Sequence, residues 1–317
     1  MTERNSITFG PVPSRRLGRS LGVNHIPPKV CTYSCVYCQV GRTTRMRTER
    51  SAFYEPEQIL AEVQAHVARA RAAGEPIDYL AFVPDGEPTL DINLGRMVAL
   101  LKPLGIPIAV ISNATLLWQE SVRADLQQAD WVSLKIDAVQ EAIWRRVDRP
   151  HRRLQLSSIQ AGILAFASTF SGKLVTETML INGLNDDEAH LRALADFLAR
   201  LEPDTAYLSI PTRPPAESWV RPADEAALNR AYQLVAERVG HVEYLIGYEG
   251  NAFASTGDAA QDLLSITAVH PMREDAVRAF LTSAGAAWAV VDELMARGQV
   301  IRADYAGSAF YARKLGS

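Results

Sequence analysis

Two spacings of apolar residues alternate along the chain. Short aliphatic and aromatic runs at 21–26, 79–83, 108–112, 131–136, 174–180 and 206–210 read as buried strands. Stretches near 56–73, 91–102, 116–128, 154–169, 187–201 and 223–238 place apolar residues at helical spacing, with polar residues on the opposite face. Six βα units of this kind predict an α/β protein whose parallel sheet is covered by helices. The pattern leaves the sheet either doubly wound or rolled into a barrel. In both arrangements the site lies beyond the strand C-termini, so polar residues there are the candidates for chemistry.

The pattern changes after a stretch of glycine and small residues at 247–257. A short strand at 264–269, helices at 273–282 and 287–297, and a hairpin over 300–313 turning at Gly307 follow, an order that resembles a winged helix. We therefore expect a core over 1–250 and a winged-helix-like unit over 258–317. At 48% hydrophobic and 22% charged, with a net charge of -3, the 317 residues can bury a large core. No stretch is long and apolar enough to span a bilayer, and the N-terminus lacks an apolar run after its charges, so we expect a cytoplasmic enzyme with no membrane partner. The small net charge hides an asymmetry. Residues 1–50 carry nine Arg and Lys against two Glu, while the remainder carries 24 basic against 34 acidic groups. Residues 262–317 carry six of each sign, which suits a protein-facing or barrel-capping unit better than a nucleic-acid arm.

All three cysteines fall within Cys31-Thr-Tyr-Ser-Cys35-Val-Tyr-Cys38. Three thiolates at this spacing can wrap one face of a 4Fe-4S cluster, leaving one iron without a cysteine. A structural zinc site wants four ligands, and His25 could serve only from the far side of Pro27 and Pro28. A disulfide would leave one cysteine over; inert buried thiols are the plain alternative. Downstream, Pro84-Asp-Gly86-Glu87-Pro88-Thr-Leu follows the strand at 79–83 directly. Glycine there admits close backbone approach to a ligand, although Gly-Glu-Pro alone is a common turn.

Within 131–137 the residues alternate, so Ser133, Lys135 and Asp137 share one face and Val132, Leu134 and Ile136 the other. Lysine is rarely buried unpaired, so the polar face points into the barrel or its mouth, as a ligand wall or as a Lys-Asp ion pair. Asn113 follows the third strand, and Ser209, Thr212 and Arg213 stand by the sixth. Glu177 and Thr178 are adjacent, so only one of them faces inward.

The cysteine spacing, with an aromatic residue before the last cysteine, strongly resembles that of the radical S-adenosylmethionine (SAM) enzymes, and Gly86-Glu87-Pro88 resembles their SAM amino-group motif. The resemblance implies a partial (β/α)6 barrel, open laterally, with Cys31, Cys35 and Cys38 holding one 4Fe-4S cluster in the loop after the first strand. It implies SAM bound at the open iron and cleaved to a 5'-deoxyadenosyl radical that abstracts a substrate hydrogen. Gly86, Glu87 and Pro88 would meet the SAM ammonium, Ser133, Lys135 and Asp137 would lie near its ribose and carboxylate, Asn113 near the same ligand, and the Tyr37 backbone would contact its adenine. An electron donor such as flavodoxin or ferredoxin is implied as a partner.

Three further runs are candidates for substrate capture: 10–22 with Arg15, Arg16 and Arg19; 145–153 with five Arg; and 210–217 with Arg213 and Glu217. Guanidiniums bind phosphates and carboxylates bidentately, although an Arg-rich loop is often plain solvated surface. The runs resemble the radical SAM subgroup of the tRNA wyosine-base synthases, without the extra cysteines or flavin-binding domain of those enzymes. Arg15, Arg16, Glu177, Arg213 and Glu217 are thus expected to bind an anionic substrate, either tRNA or a phosphorylated or carboxylated metabolite. The alternative is a peptide- or protein-modifying radical SAM protein whose C-terminal unit docks the partner.

Overall fold

The computed structural model describes residues 7–247, 250–251, 253–255 and 257–314. The chain opens with a hairpin, β1 (Thr8–Ser14) and β2 (Gly18–Val23), followed by a small ribbon, β3 (Val30–Cys31) and β4 (Arg45–Met46). Alternation then begins: α1 (Pro56–Ala72), β5 (Tyr79–Phe82), α2 (Leu94–Leu101), β6 (Ile108–Ser112), α3 (Glu120–Leu126), β7 (Trp131–Lys135), α4 (Glu141–Val147) and α5 (Leu156–Ala167). It continues through β8 (Lys173–Met179), α6 (Glu188–Leu201), β9 (Thr205–Ser209), α7 (Glu225–Ala236) and β10 (Val242–Leu245).

The large sheet has the order β1-β2-β5-β6-β7-β8-β9-β10. Only the β1–β2 pair is antiparallel among these neighbours. A doubly wound sheet reverses its order at a switch point, whereas this one runs in a single direction and curls into a barrel. Among the described residues β1 and β10 do not pair, so the barrel is incomplete. Alternation along the strands separates two cores. Ala81, Ala109, Trp131, Val175 and Tyr207 point inward and pack with Leu17 and Leu245. Leu80, Phe82, Val110, Val132, Leu134 and Leu208 point outward into the helices. Several helices start where an aspartate caps them: Asp187 accepts from the His190 N–H at 3.0 Å and Asp224 from the Ala227 N–H at 2.8 Å.

Five of the six expected strands are present within one residue at each end, the first lies three residues earlier than expected, at Gly18–Val23, and two strands of the large sheet were missed. β10 adds a seventh parallel strand. β1 contains Pro11 and Pro13; an edge strand tolerates proline, and a register shift between Phe9 and Val12 accommodates it.

The C-terminal unit comprises α8 (Ala259–Val269), β11 (Met272–Arg273), α9 (Glu274–Ser283), α10 (Ala289–Ala296), β12 (Val300–Tyr305) and β13 (Ser308–Arg313). Its strands form a sheet of order β11-β13-β12, and Gly307, at φ 76°, makes the tight turn of the wing. The expected strand at 264–269 is instead the second half of α8. Asp262 through Val269 are all buried, so this helix shows no polar face from which its period could be read. The unit is joined to the barrel by packing: Phe9 and Val12 share an apolar cluster with Phe253, Leu263, Ile266 and Phe280. Of the expected linker at 247–257, Tyr248, Glu249, Ala252 and Thr256 lie outside the described residues, while the Ala254 N–H donates to the Pro11 carbonyl at 3.1 Å. Among the described residues no helix is long and apolar enough to cross a membrane.

Candidate active site

The loop after β2 carries the three cysteines and is pinned on every side. The Cys38 N–H donates to the Cys35 carbonyl at 3.1 Å and the Gly41 N–H to the Cys38 carbonyl at 3.0 Å. Lys29, at φ 64°, buries its ammonium against the Val40 and Gly41 carbonyls at 2.6 and 2.5 Å, clasping the two ends of the loop together. Behind it runs the segment after α4. Ser34 N–H donates to Asp148 O at 3.0 Å, Val36 N–H to Val147 O at 2.9 Å and His151 N–H to Thr32 O at 3.0 Å.

The donor set suits an iron-sulfur cluster. All three cysteines are free of disulfides. Burial pushes the Cys31 thiol up to about 12, with Glu87 adding to it, and pushes Cys35 well above its ordinary value, with Asp148 adding. Thiolates in this pocket need bound iron to take up their charge. Among the described residues no three His, Cys, Asp or Glu side chains converge as they would on a single ion. Three free cysteines suit one face of a cubane, whereas a structural zinc site wants a fourth ligand. His25 is occupied elsewhere: its Nε2 lies 3.2 Å from the Pro88 carbonyl, its ring meets Phe82 edge-on, and burial lowers its pKa to about 4.

The Gly-Glu-Pro turn leaves β5 and presses against the strand that bears Cys31. A Cβ on Gly86 would lie 1.9 Å from the Val30 carbonyl oxygen, so only glycine fits. The Glu87 N–H donates to that same oxygen at 3.1 Å. Its carboxylate is almost fully buried and accepts four hydrogen bonds, from Thr89 N–H (3.0 Å), Thr89 Oγ1 (2.6 Å), Ser112 Oγ (2.7 Å) and Asn113 N–H (2.8 Å). A carboxylate offers about four such positions, so Glu87 is engaged within the protein as a brace between the cysteine strand and the end of β6. Asn113 extends the brace: its Nδ2 donates to Thr32 Oγ1 at 2.7 Å and stands 3.6 Å from Cys31 Sγ.

The inward face of β7 and β8 is differently built. Ser133 is fully buried in the barrel. Lys135 pairs with Glu177 at 3.0 Å, and its ammonium lies 4.9 Å from the centre of the Tyr37 ring. Glu177 is therefore the inward member of its pair, while Thr178 Oγ1 donates outside the barrel interior to the Ile136 carbonyl at 2.8 Å. The ion pair is Lys135–Glu177 and not the Lys-Asp pair that alternation suggested. Burial alone would raise the Glu177 carboxyl, but Lys135 and Arg16 outweigh it and hold the group at about 2. Ser209 Oγ also donates to Glu177, at 3.2 Å. Asp137 accepts from the Tyr37 hydroxyl and from the Met179 N–H at 2.7 Å, so the Tyr37 side chain is tied to the inward face of β7 and β8. Asp148 was missed because it sits within the arginine run. It is buried, 3.5 Å from Cys35 Sγ, and burial together with the neighbouring Asp137 pushes its carboxyl well above the usual range.

A cavity of about 280 Å³ brings much of this together. It is lined by Arg15 and Arg16 from the β1–β2 turn, Tyr37 and Cys38 from the cysteine loop, Lys135 and Glu177. Arg213 closes it, donating to Gln39 Oε1 at 3.2 Å and meeting His270 Nε2 at 2.7 Å. Gln39 in turn donates to Val269 O at 2.8 Å, and Tyr305 OH to Pro211 O at 2.9 Å, so the C-terminal unit lies over the barrel. Two expectations place differently. Glu217 is away from the cavity, bidentate to Arg42 at 2.9 and 2.8 Å and bonded to Arg149 at 2.5 Å. The 145–153 run backs the cysteine loop and does not line the cavity.

Comparison with known proteins accounts for this geometry. The Radical SAM superfamily profile matches residues 26–198. The chain is 42% identical over 314 residues to the UPF0026 protein MJ1312 of Methanocaldococcus jannaschii, covering 98% of this chain and 97% of that one. Among solved structures, a radical SAM methyltransferase from Sphaerobacter thermophilus superposes with a TM-score of 0.52 at 22% identity, over 74% of this chain and 69% of that one. TYW1 with a lysine-pyruvate adduct bound gives 0.52 at 16% identity, over 70% and 74%. These superpositions speak to the fold alone. Membership brings one 4Fe-4S cluster and SAM as cofactors, and the profile begins just before the cysteine loop that fits them. This enzyme belongs to the radical SAM superfamily and is a UPF0026 protein.

Proposed function

We propose that the enzyme abstracts hydrogen from a small anionic organic substrate held in the cavity between the cysteine loop, the barrel interior and the C-terminal unit. Cluster and SAM together supply the abstracting radical when an electron is delivered. On this reading Cys31, Cys35 and Cys38 ligate the iron. Gly86 to Pro88 offer backbone carbonyls to the SAM ammonium, and Tyr37, Asn113, Ser133, Lys135 and Asp137 form the wall against which SAM lies. Arg16, Lys135 and Glu177 orient the remaining charge, and the apolar side chains of Phe9, Val12, Ile111 and Leu245 keep bulk water from the radical.

The observation that carries this reading is the enclosure. The cavity's 280 Å³ is near the lower end of small-molecule sites, roughly 300–1,000 Å³. Its lining holds Arg15, Arg16, Lys135 and Arg213 against the single carboxylate of Glu177, which favours an anion. The end of α8 roofs it through Val269 and His270, and the C-terminal unit adds no positive excess that would draw RNA. The test is anaerobic incubation with SAM and dithionite against cell extract from deuterium-grown cells, divided into ultrafiltrate and RNA. Deuterium should enter 5'-deoxyadenosine from the ultrafiltrate and be insensitive to ribonuclease. Transfer only from the RNA fraction would overturn the reading in favour of a tRNA substrate.

A further inference from the structure

Among the described residues of the C-terminal unit, only Val269 and His270 line the cavity, so the roof brings one polar side chain to it, the His270 imidazole. His270 ends α8: its N–H donates to the Ile266 carbonyl at 2.8 Å, and the chain leaves the helix there at φ -135° and ψ 85°. The buried imidazole is held from the side by the Phe253 ring, edge-on at 5.3 Å, which belongs to the apolar cluster of Phe9 and Val12. Its Nε2 meets Arg213 Nη2 at 2.7 Å. A guanidinium has donors and no acceptor, so His270 accepts at Nε2 and carries its proton on Nδ1. Through Nη1, Arg213 donates to Gln39 Oε1 at 3.2 Å, and Gln39, the residue after Cys38, returns to the roof by donating to Val269 O at 2.8 Å. Cysteine loop, barrel and roof thus meet at one guanidinium.

We propose that His270 is a positioning residue that sets substrate specificity: its imidazole fixes the Arg213 fork at the cavity edge, and the fork takes the anionic group of the substrate, a carboxylate or a phosphate. The proposal rests on the small-anion reading above and adds to it a residue from outside the barrel. A long side chain such as arginine loses rotamer freedom when it binds a ligand, and holding it beforehand lowers that cost. The nature of the holder matters as much. Gln39 and His270 are neutral acceptors, which orient a guanidinium without cancelling its charge, whereas Arg16 shares Glu177 with Lys135, and Arg42 shares Glu217 with Arg149. Because His270 comes from α8, the C-terminal unit is then part of the substrate site and not only a cover for Phe9 and Val12.

The experiment compares full-length, cluster-loaded wild type with His270→Phe and His270→Gln in a dilution series of the ultrafiltrate from deuterium-grown cells, reading deuterium in 5'-deoxyadenosine. Phenylalanine keeps a ring against Phe253 and removes the acceptor; glutamine loses the ring and offers an amide oxygen near the place of Nε2. His270→Phe should need about tenfold more ultrafiltrate for half-saturation, the scale of one charge-assisted hydrogen bond, with the change in that amount and not in the plateau. His270→Gln should lie closer to wild type. A role in packing alone reverses the order, with His270→Gln the worse of the two, and that result would overturn the proposal, as would an unchanged half-saturation in His270→Phe. Should His270→Phe fail to take up iron, His270→Leu carries the same comparison. Phosphatase treatment of the ultrafiltrate separates the two anions: transfer abolished assigns a phosphate to the fork and transfer retained a carboxylate, and either one, alongside the His270→Phe defect, supports the subsite. Transfer from the RNA fraction alone in wild type would instead overturn the small-anion reading, and this proposal with it.

Discussion

The two sides of the barrel mouth hold similar residues in opposite states. On the β5–β6 side, Glu87 is buried and saturated by Thr89, Ser112 and Asn113, and neither Glu87 nor Asn113 lines the main cavity. On the β7–β9 side, Lys135 and Glu177 both line it, with Arg16 and Ser209 beside them. A polar group whose valences are filled inside the protein positions its neighbours. A charged group at a cavity wall, with donors to spare, is placed to touch a ligand. On the proposed reading the difference makes Glu87 part of the frame of the cysteine loop and Lys135 part of the ligand wall, although the family resemblance implies that both meet SAM.

The largest expected effect comes from breaking the frame. Glu87→Ala leaves several buried donors without an acceptor, a loss of about 3 kcal/mol or more, and releases Asn113, whose side chain holds Thr32 next to Cys31. Its melting temperature and its iron content after anaerobic reconstitution should both fall. Lys135→Met should act differently. Glu177 keeps Arg16 and Ser209, so the fold and the cluster survive. Substrate-dependent formation of 5'-deoxyadenosine should fall roughly 10- to 100-fold, the scale of one charge-assisted hydrogen bond.

The smallest effect is a pH dependence confined to the frame. Burial raises Asp85 from 3.8 to about 7, against the hydrogen bond from Asn24 and the charge of Lys29. A carboxyl raised in this way keeps a proton in the folded state that the unfolded chain releases. Its contribution to stability is therefore present below about 3.8 and is lost as pH rises through about 7. Asp85→Asn should remove that decline, so the variant gains on wild type between pH 5 and pH 8 in thermal melts. A parallel pH dependence in both proteins would place the titration elsewhere.

What the sequence revealed follows from which signals are local. The βα alternation and the cysteine spacing are contained within short windows and survive into the structure with small boundary shifts. α8 was misread because burial all round erases the helical period, and β1 was not named as a strand because its prolines argue against one unless its edge position is known. Site residues divide in the same way. Lys135 shows itself by alternation, but its partner Glu177 lies 42 positions away and was one of two adjacent candidates. Asp148 was hidden among arginines, and Glu217 looked like a substrate ligand because Arg42, 175 positions away, gives no local sign of claiming it.

The most direct test of the division between frame and wall measures iron per protein and substrate-dependent 5'-deoxyadenosine side by side in Glu87→Ala and Lys135→Met. The account predicts that Glu87→Ala loses iron and turnover together, while Lys135→Met keeps its full iron complement and loses turnover alone. Full iron retention in Glu87→Ala, or undiminished turnover in Lys135→Met, would contradict it.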